Sequence, residues 1–287
     1  MALLGQYMWL NNAMTSIKIS FTESHLQPLA EQLGRSLVLP VINAQEVDNM
    51  CRAAASAQEN PGFLLEFDLH GLSLLPVKRK QHGPIRCEFD SGANTHRRKF
   101  GGGNGQAIAK AVGVSGKFSP RVVDLTAGLG GDAFVLASLG CEMTLLERNP
   151  IVHSLLRDGL DRAIAAGADD SELAQIMSRV SLIEQDSKSY LSHLAPENYA
   201  DIIYLDPMFP ERKKSAKAKK EMQAFHGIVG ADDDAAGLLE LALERAHFRV
   251  VVKRSASAEH LGGIAPTYSL EGKSTRFDIF ALNKLPT

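Results

Sequence analysis

Short apolar runs alternate with amphipathic stretches over the second two thirds of the chain. Runs of four or five residues suit buried strands, and the stretches between them carry apolar residues at helical spacing. The runs predicted as strands are Val122–Leu125, Met143–Leu146, Val180–Ile183, Ile202–Leu205 and Arg249–Val252, with Thr267–Leu270 and Phe277–Leu282 as a closing hairpin. The predicted helices are Asp132–Leu139, Pro150–Ala165 and Leu238–Ala246. This alternation predicts an α/β fold with a mostly parallel sheet and helices on both faces.

The first ninety or so residues follow a less regular pattern, which predicts a small α/β unit. The predicted elements are strands at Ser36–Ile42, Phe63–Asp68 and Leu72–Val77 and a helix at Ala44–Ala57. The second and third strands flank a turn and are expected to form a hairpin. A loop composition at Asp90–Asn94 marks the candidate boundary. We therefore divide the chain into an N-terminal extension with a small α/β domain, residues 1–92, and a larger domain, residues 93–287.

The composition is that of an ordinary globular protein, with 45% hydrophobic and 22% charged residues, which excludes a disordered chain. No apolar run approaches the roughly 18 residues that a membrane-spanning helix needs. The three cysteines, Cys51, Cys87 and Cys141, show neither a disulfide framework nor metal-ligand spacing. We therefore expect a cytoplasmic monomer with no membrane partner and no metal.

Two strongly basic segments stand out in a chain whose net charge is −2. Residues 78–99 hold seven basic and two acidic side chains, and residues 207–220 hold six basic and one acidic. Local blocks of this kind indicate contact with a polyanion, although a solvated surface would show the same charge. The candidate residues for such a contact are Arg97, Arg98, Lys99, Arg212, Lys213, Lys214, Lys217, Lys220 and, at the end of the fifth predicted strand, Lys253.

Acidic residues end four of the predicted strands, and a glycine-rich turn follows the first. Ligands of parallel α/β sheets bind at these carboxyl ends. The acidic residues are Asp124, Glu147, Asp186 and Asp206, and the turn contains Gly128, Gly130 and Gly131. Glycines allow a sharp turn and a close approach to a ligand, and Glu147 can accept hydrogen bonds from ribose hydroxyls. The spacing Gly128-x-Gly130-x-x-Ala133 also fits a dinucleotide-binding fingerprint. The glycine turn alone is therefore also compatible with an NAD-dependent dehydrogenase.

The fourth predicted strand ends in Asp206-Pro207-Met208-Phe209-Pro210. Asp-Pro-x-aromatic is similar to the motif of methyltransferases that act on planar nitrogens. A carboxylate and a backbone carbonyl can accept the two N–H groups of an exocyclic amine, and proline fixes the local backbone. An aromatic ring can stack on the base, which contributes about 1–3 kcal/mol of binding free energy. Asp206, Pro207 and Phe209 are therefore the candidate catalytic residues.

These motifs together resemble the ribosomal RNA small-subunit methyltransferase J family. The matching segments are Gly128–Gly130, Leu146–Pro150, Tyr204–Pro210, His96–Gly103, Lys219–Met222, Val250–Arg254 and Arg276–Ile279. The resemblance implies a class I S-adenosylmethionine methyltransferase with a Rossmann-like seven-stranded sheet. It also implies methylation of N2 of one guanine near the 3′ end of 16S rRNA, in the small ribosomal subunit.

The resemblance also assigns the cofactor site. Carried over by motif, the S-adenosylmethionine-binding residues are Gly131, Asp132, Glu147, Arg148, Asp186, Ser187 and Asp206. The family often has arginine where this chain has Gly131, so only a backbone contact is expected there. Two rivals to guanine-N2 methylation stay open: another planar nitrogen, either adenine N6 or a glutamine amide, and a non-catalytic rRNA-binding assembly factor.

Overall fold

The protein is described from a computed structural model, which covers residues 17–56, 62–78, 81–89, 105–207 and 234–286. These residues form two compact units, which divide between Cys87 and Glu88. The boundary predicted at residue 92 falls within residues 90–104, outside the described ranges, and stays a prediction.

The first unit is a three-stranded sheet with two helices. The strands are β1 (Ile17–Phe21), β2 (Phe63–Asp68) and β3 (Gly71–Pro76), in the order β1-β2-β3. β1 runs parallel to β2, and β2 and β3 form the predicted antiparallel hairpin. The helices are α1 (Gln27–Leu37) and α2 (Ala44–Ser56). The inward face of α2 packs Ala54 against Leu64 and Leu75 of the sheet, as its apolar spacing predicts.

The predicted strand at Ser36–Ile42 is wrong. Its first two residues are the last residues of α1, a helix that the sequence analysis missed. The helix ends because Val38 adopts a left-handed conformation, with φ 55°, and the amide of Leu39 then donates to the carbonyl of Gly34 at 3.0 Å. Of the predicted strand, Val41 alone pairs with β1, through an isolated parallel bridge to Ile19. Leu39 and Ile42 are buried, so most of the run is apolar because it packs on the core.

The second unit is built on a seven-stranded sheet. Its strands are β4 (Arg121–Asp124), β5 (Glu142–Leu146), β6 (Val180–Ile183), β7 (Ala200–Leu205), β8 (Ala246–Ser255), β9 (Tyr268–Glu271) and β10 (Thr275–Ala281). The order across the sheet is β6-β5-β4-β7-β8-β10-β9. The first five run parallel, and β10 runs antiparallel to β8 and to β9. The five predicted strands and the closing hairpin are therefore confirmed.

Helices connect these strands. They are α3 (Ala107–Val112), α4 (Gly131–Ser138), α5 (Pro150–Ala166), α6 (Ser171–Met177), α7 (Ser187–His193) and α8 (Ala235–Arg245). The start of α5 is fixed by its sequence, because Pro150 occupies the first turn and the side chain of Asn149 accepts from two backbone amides of that turn. Leu155, Leu156 and Leu160 of α5 are buried, as their spacing predicts. Of these helices, α4, α5 and α8 were predicted, while α3, α6 and α7 were missed.

In the part of the chain that the structure describes, no helix combines the length and apolar character needed to cross a bilayer. Within the same ranges, no group of three or more His, Cys, Asp or Glu side chains could hold a metal ion.

The left-handed Val38 yields a prediction about stability. Val38→Gly should stabilise α1 and β1 by about 0.5–1 kcal/mol, because a β-branched residue is strained at positive φ and glycine is not. Val38 is 88% exposed, so little packing is lost. Hydrogen-exchange protection of the α1 and β1 amides should rise about two- to fivefold. Val38→Ala is the control, with a smaller gain; unchanged or lower protection in Val38→Gly would contradict the prediction.

Candidate active site

The order of the strands in the second unit reverses between β4 and β7, and this reversal marks the expected ligand-binding crevice. The chain runs from β4 outward to β5 and β6, then returns to place β7 on the other side of β4. Such a reversal opens a crevice at the carboxyl ends of the two central strands, where ligands of open α/β sheets bind. Asp124 ends β4 and Asp206 follows β7, so both of these predicted site residues lie at this crevice.

The loop between β4 and α4 is attached to both neighbouring strands. The amide of Leu125 donates to the carbonyl of Tyr204 on β7 at 3.0 Å, and the amide of Ala127 donates to that of Leu146 on β5 at 3.1 Å. Gly130 then turns into α4 with φ 74°. A Cβ atom at this position would lie 2.9 Å from Leu156 Cδ1, so glycine is required by conformation and by space.

Glu147 fixes the loop from the next strand. One carboxylate oxygen accepts from the amide of Gly128 at 3.0 Å, and the other accepts from the amide of Asn149 at 2.7 Å. The side chain is buried, with 6% exposure. Two backbone donors therefore orient a carboxylate beside the glycine turn, at the position where the sequence predicts a ribose acceptor.

Asp124 is more buried than the other predicted acidic site residues, Glu147, Asp186 and Asp206. It is 2% exposed, and its Oδ1 accepts from the amide of Thr126 at 3.0 Å. Burial raises the pKa of Asp124 from 3.8 to about 8; the hydrogen bond opposes this shift, and the nearby charges of Asp132, Asp206 and Glu147 add to it. Asp124 is therefore placed to hold the loop, with its carboxyl largely protonated at neutral pH.

Asp206 is held at its backbone and at its side chain. Its amide donates to the Oγ1 of Thr126 at 2.6 Å, which links the motif after β7 to the glycine loop. Its Oδ2 lies 2.9 Å from the ammonium of Lys253 on β8, and its side chain is 40% exposed. A carboxylate with a fixed position and an exposed surface is suited to accept hydrogen bonds from a ligand.

Lys253 also contacts a second carboxylate. Its ammonium lies 2.7 Å from Oδ2 of Asp132, the second residue of α4, and the hydroxyl of Tyr204 donates to the same oxygen at 2.7 Å. Burial by itself would lower the pKa of Lys253, but the charges and hydrogen bonds of Asp206 and Asp132 raise it above its ordinary value. Tyr204 is fully buried, and burial together with these carboxylates raises the pKa of its phenol as well.

Three further predicted residues have partners within the second unit. Asp186 is exposed and caps α7, with Oδ2 accepting from the amide of Ser189 at 2.8 Å. The hydroxyl of Ser187 is buried and donates to the carbonyl of Leu125 at 2.6 Å, so it supports the glycine loop from behind. The guanidinium of Arg148 pairs with Asp234, at 2.9 Å and 3.0 Å from its two carboxylate oxygens.

Among the described residues, the structure places Asp124, Asp132, Asp206 and Lys253 together and Glu147 beside the glycine turn, and it adds residues that the sequence analysis missed. The missed residues are Thr126, whose hydroxyl accepts from Asp206, and Tyr204, whose hydroxyl donates to Asp132. Their signals were present: Thr126 comes directly after a strand end, and Tyr204 precedes Asp206 by two positions and so shares its face of the strand. The predicted site residues outside the described ranges are Phe209, Arg97, Arg98, Lys99, Arg212, Lys213, Lys214, Lys217 and Lys220.

The residues present fit S-adenosylmethionine. Gly131 begins α4 with open space where its side chain would be, and Glu147 offers an oriented carboxylate beside the turn. The cluster of carboxylates around Asp124 makes the crevice electronegative, which suits a positively charged sulfonium. The fold and the site together define a class I S-adenosylmethionine-dependent methyltransferase.

Comparison with known proteins supports this class and identifies the family. Residues 49–282 match SAM_MT, a family of SAM-dependent methyltransferases. The chain is 61% identical, over 92% of its length and 96% of the relative, to ribosomal RNA small subunit methyltransferase J of Cellvibrio japonicus. It is 51% identical to the protein of the same name in Marinobacter nauticus, over 78% of this chain and 80% of the relative. The chain belongs to the ribosomal RNA small subunit methyltransferase J family.

A solved structure supports the assignment of the fold. A SAM-dependent methyltransferase from Neisseria gonorrhoeae superposes with a TM-score of 0.65 at 35% identity, over 92% of this chain and 95% of that one. The class I methyltransferase fold expected from the sequence is therefore confirmed, and the dependence on S-adenosylmethionine with it.

The two adjacent glycines at the start of α4 provide a matched test of the loop. Gly130→Ala should destabilise the protein by about 1–3 kcal/mol, because it places a Cβ against Leu156 at positive φ. Gly131→Ala should change stability by less than about 0.5–1 kcal/mol, because nothing lies within 4 Å of its Cβ. Urea unfolding measures both, and equal losses in the two variants would contradict the geometry.

Asp124 generates a prediction about pH. Because its pKa is about 8 when folded and about 4 when unfolded, the unfolded chain releases this proton first as pH rises, and the native state loses stability between about pH 4 and pH 8. Asp124→Asn keeps the acceptor for Thr126 and removes this effect. The free energies of unfolding of both proteins are measured without cofactor at about pH 5 and about pH 8. The free energy of the variant minus that of the wild type should be larger at the higher pH. A constant or shrinking difference would count against a protonated Asp124.

Proposed function

We propose that this enzyme methylates the exocyclic N2 of a specific guanine near the 3′ end of 16S rRNA, in the small ribosomal subunit. The observation that carries the proposal is the position of Asp206, whose amide is bonded to Thr126 of the glycine loop while its carboxylate stays partly exposed. An amine bound by Asp206 therefore lies next to the cofactor loop. The names of the relatives, which specify small-subunit ribosomal RNA, support the substrate class.

The reaction needs positioning more than it needs a strong base. The glycine turn and Glu147 would hold S-adenosylmethionine, which would supply a methyl group on a positively charged sulfur; the sulfur would keep the electron pair of the broken C–S bond as a neutral thioether. The lone pair of N2 forms the new N–C bond. Asp206 accepts an N–H of the amine, which aims the lone pair, and then takes the proton that the methylated nitrogen releases. Well-oriented reactants of this kind can gain roughly 7–11 kcal/mol.

The residues after Asp206 complete the proposed acceptor site. Pro207 is buried and lacks an N–H, so its carbonyl can serve as a fixed second acceptor for the amine. Phe209 is proposed to stack on a guanine that has been turned out of the RNA, as enzymes that modify bases require. The basic residues at 97–99 and 212–220 are proposed to bind phosphates around the target. These three roles rest on the sequence motif.

Replacement of Asp206 tests the proposal. Asp206→Ala should lower methyl transfer by at least about 10²-fold, because the amine loses its acceptor, and leave the fold intact. The assay is tritiated methyl transfer to small subunits from cells lacking the enzyme, followed by digestion and nucleoside mass spectrometry. The wild-type product should be N2-methylguanosine.

Asp201→Asn is the matched control. Asp201 lies at the opposite end of β7, where it accepts from the amide of Arg121 at 2.8 Å, so this variant should keep full activity. Full activity in Asp206→Ala would overturn the assignment of the acceptor. Label in methyladenosine or in protein would replace guanine N2 with another planar nitrogen, and cofactor binding without transfer would favour an assembly factor.

A further inference from the structure

Lys253 occupies an unusual position for a residue that the sequence suggests as a phosphate contact. Its ammonium lies between two carboxylates, 2.7 Å from Asp132 and 2.9 Å from Asp206, and the side chain is only 27% exposed. The register of the sheet explains this placement. Leu205 on β7 pairs with Val252 on β8, so the next position along both strands brings Asp206 beside Lys253.

We propose that Lys253 is a positioning residue of the transfer reaction, which fixes the carboxylate of Asp206 in its ionised, amine-accepting form. The inference rests on the proposed function, since it assigns Asp206 the role of acceptor. Lys253 acts through Asp206 and does not itself have to touch the guanine.

The contacts of Asp206 support this role. The hydroxyl of Thr126 fixes its backbone amide and does not contact the carboxylate through this bond. Lys253 supplies the second point of attachment, at Oδ2. Two points together define the direction of the carboxylate, and a misplacement of about 1 Å in a reacting group can cost about 10²-fold in rate.

Lys253 is itself held by a rigid neighbour. Asp132 lies in the first turn of α4, and its Oδ2 accepts hydrogen bonds from the ammonium of Lys253 and from the hydroxyl of Tyr204. Tyr204 is 1% exposed and lies on β7, two positions before Asp206. The series Tyr204, Asp132, Lys253, Asp206 therefore begins on β7 and ends at the residue that follows this strand, and each polar group is oriented by the one before it.

The same contacts argue against a phosphate as the main partner of Lys253. An ammonium has three N–H donors, and two carboxylates already lie within 3 Å of this one. A phosphate that approached Lys253 would also meet the negative charges of Asp132 and Asp206. A positioning role and a phosphate contact predict different kinetics, so the two can be separated.

The test compares Lys253→Met with wild type on the acceptor that the wild-type enzyme methylates. We expect kcat to fall by about 10- to 100-fold while the affinity for small subunits changes less than about threefold. The dependence of subunit binding on salt should stay unchanged, and calorimetry should find S-adenosylmethionine bound within about threefold of the wild-type affinity. Lys253→Arg should recover part of kcat, because it restores the positive charge.

Lys253→Gln is a second neutral variant, in case methionine next to two carboxylates prevents folding. Wild-type kcat in either folded neutral variant would overturn the proposal. So would an unchanged kcat with weaker subunit binding and a log–log salt slope smaller by about 0.7, which would make Lys253 a phosphate contact. A wild-type product other than N2-methylguanosine would overturn the proposed substrate alone, because the kcat comparison still tests Lys253 on that acceptor.

Discussion

The attachment of one loop to two strands is the constraint on which the active site depends. The loop after β4 gives one amide to a carbonyl of β7 and another to a carbonyl of β5, so it lies across the point where the order of the strands reverses. Glu147 then takes a third amide of the same loop, and Ser187 donates to one of its carbonyls. A glycine turn would otherwise be free to adopt many conformations. Here its backbone groups are satisfied by the surrounding sheet, which makes the loop a fixed surface.

Crowded negative charge is the second constraint. Burial raises the pKa of Asp124, the nearby charges of Asp132, Asp206 and Glu147 add to this shift, and Lys253 contacts two of these carboxylates. Repulsion between carboxylates reduces the stability of the native state, and a bound cation relieves it. The crevice therefore suits a positively charged sulfonium, and a neutral thioether would gain less from its electrostatic field.

Much of the second unit could be predicted from the sequence, because short apolar runs, a glycine turn and acidic strand ends are local signals. Glu147 and Asp206 lie where their positions after the strands indicate. The surroundings of Lys253 could not be predicted, since its place beside Asp206 depends on the order of β7 and β8 in the sheet. The ion pair of Arg148 could not be predicted either, because its partner Asp234 lies 86 positions further along the chain. The failure at Ser36–Ile42 has a local cause: a valine in a left-handed conformation is too rare to be expected from an apolar run.

The hydroxyl of Thr126 has a consequence for how this enzyme can change. It belongs to the loop that follows β4, yet it accepts from the amide of Asp206, 80 positions further along the chain. One oxygen atom thus joins the loop proposed to face the methyl donor to the segment proposed to face the acceptor. Substitutions in the two loops are coupled through this bond and should not combine additively. A change of methyl acceptor is therefore expected to arise more easily from substitutions at residues that do not take part in this bond than from substitutions in one of the two loops alone.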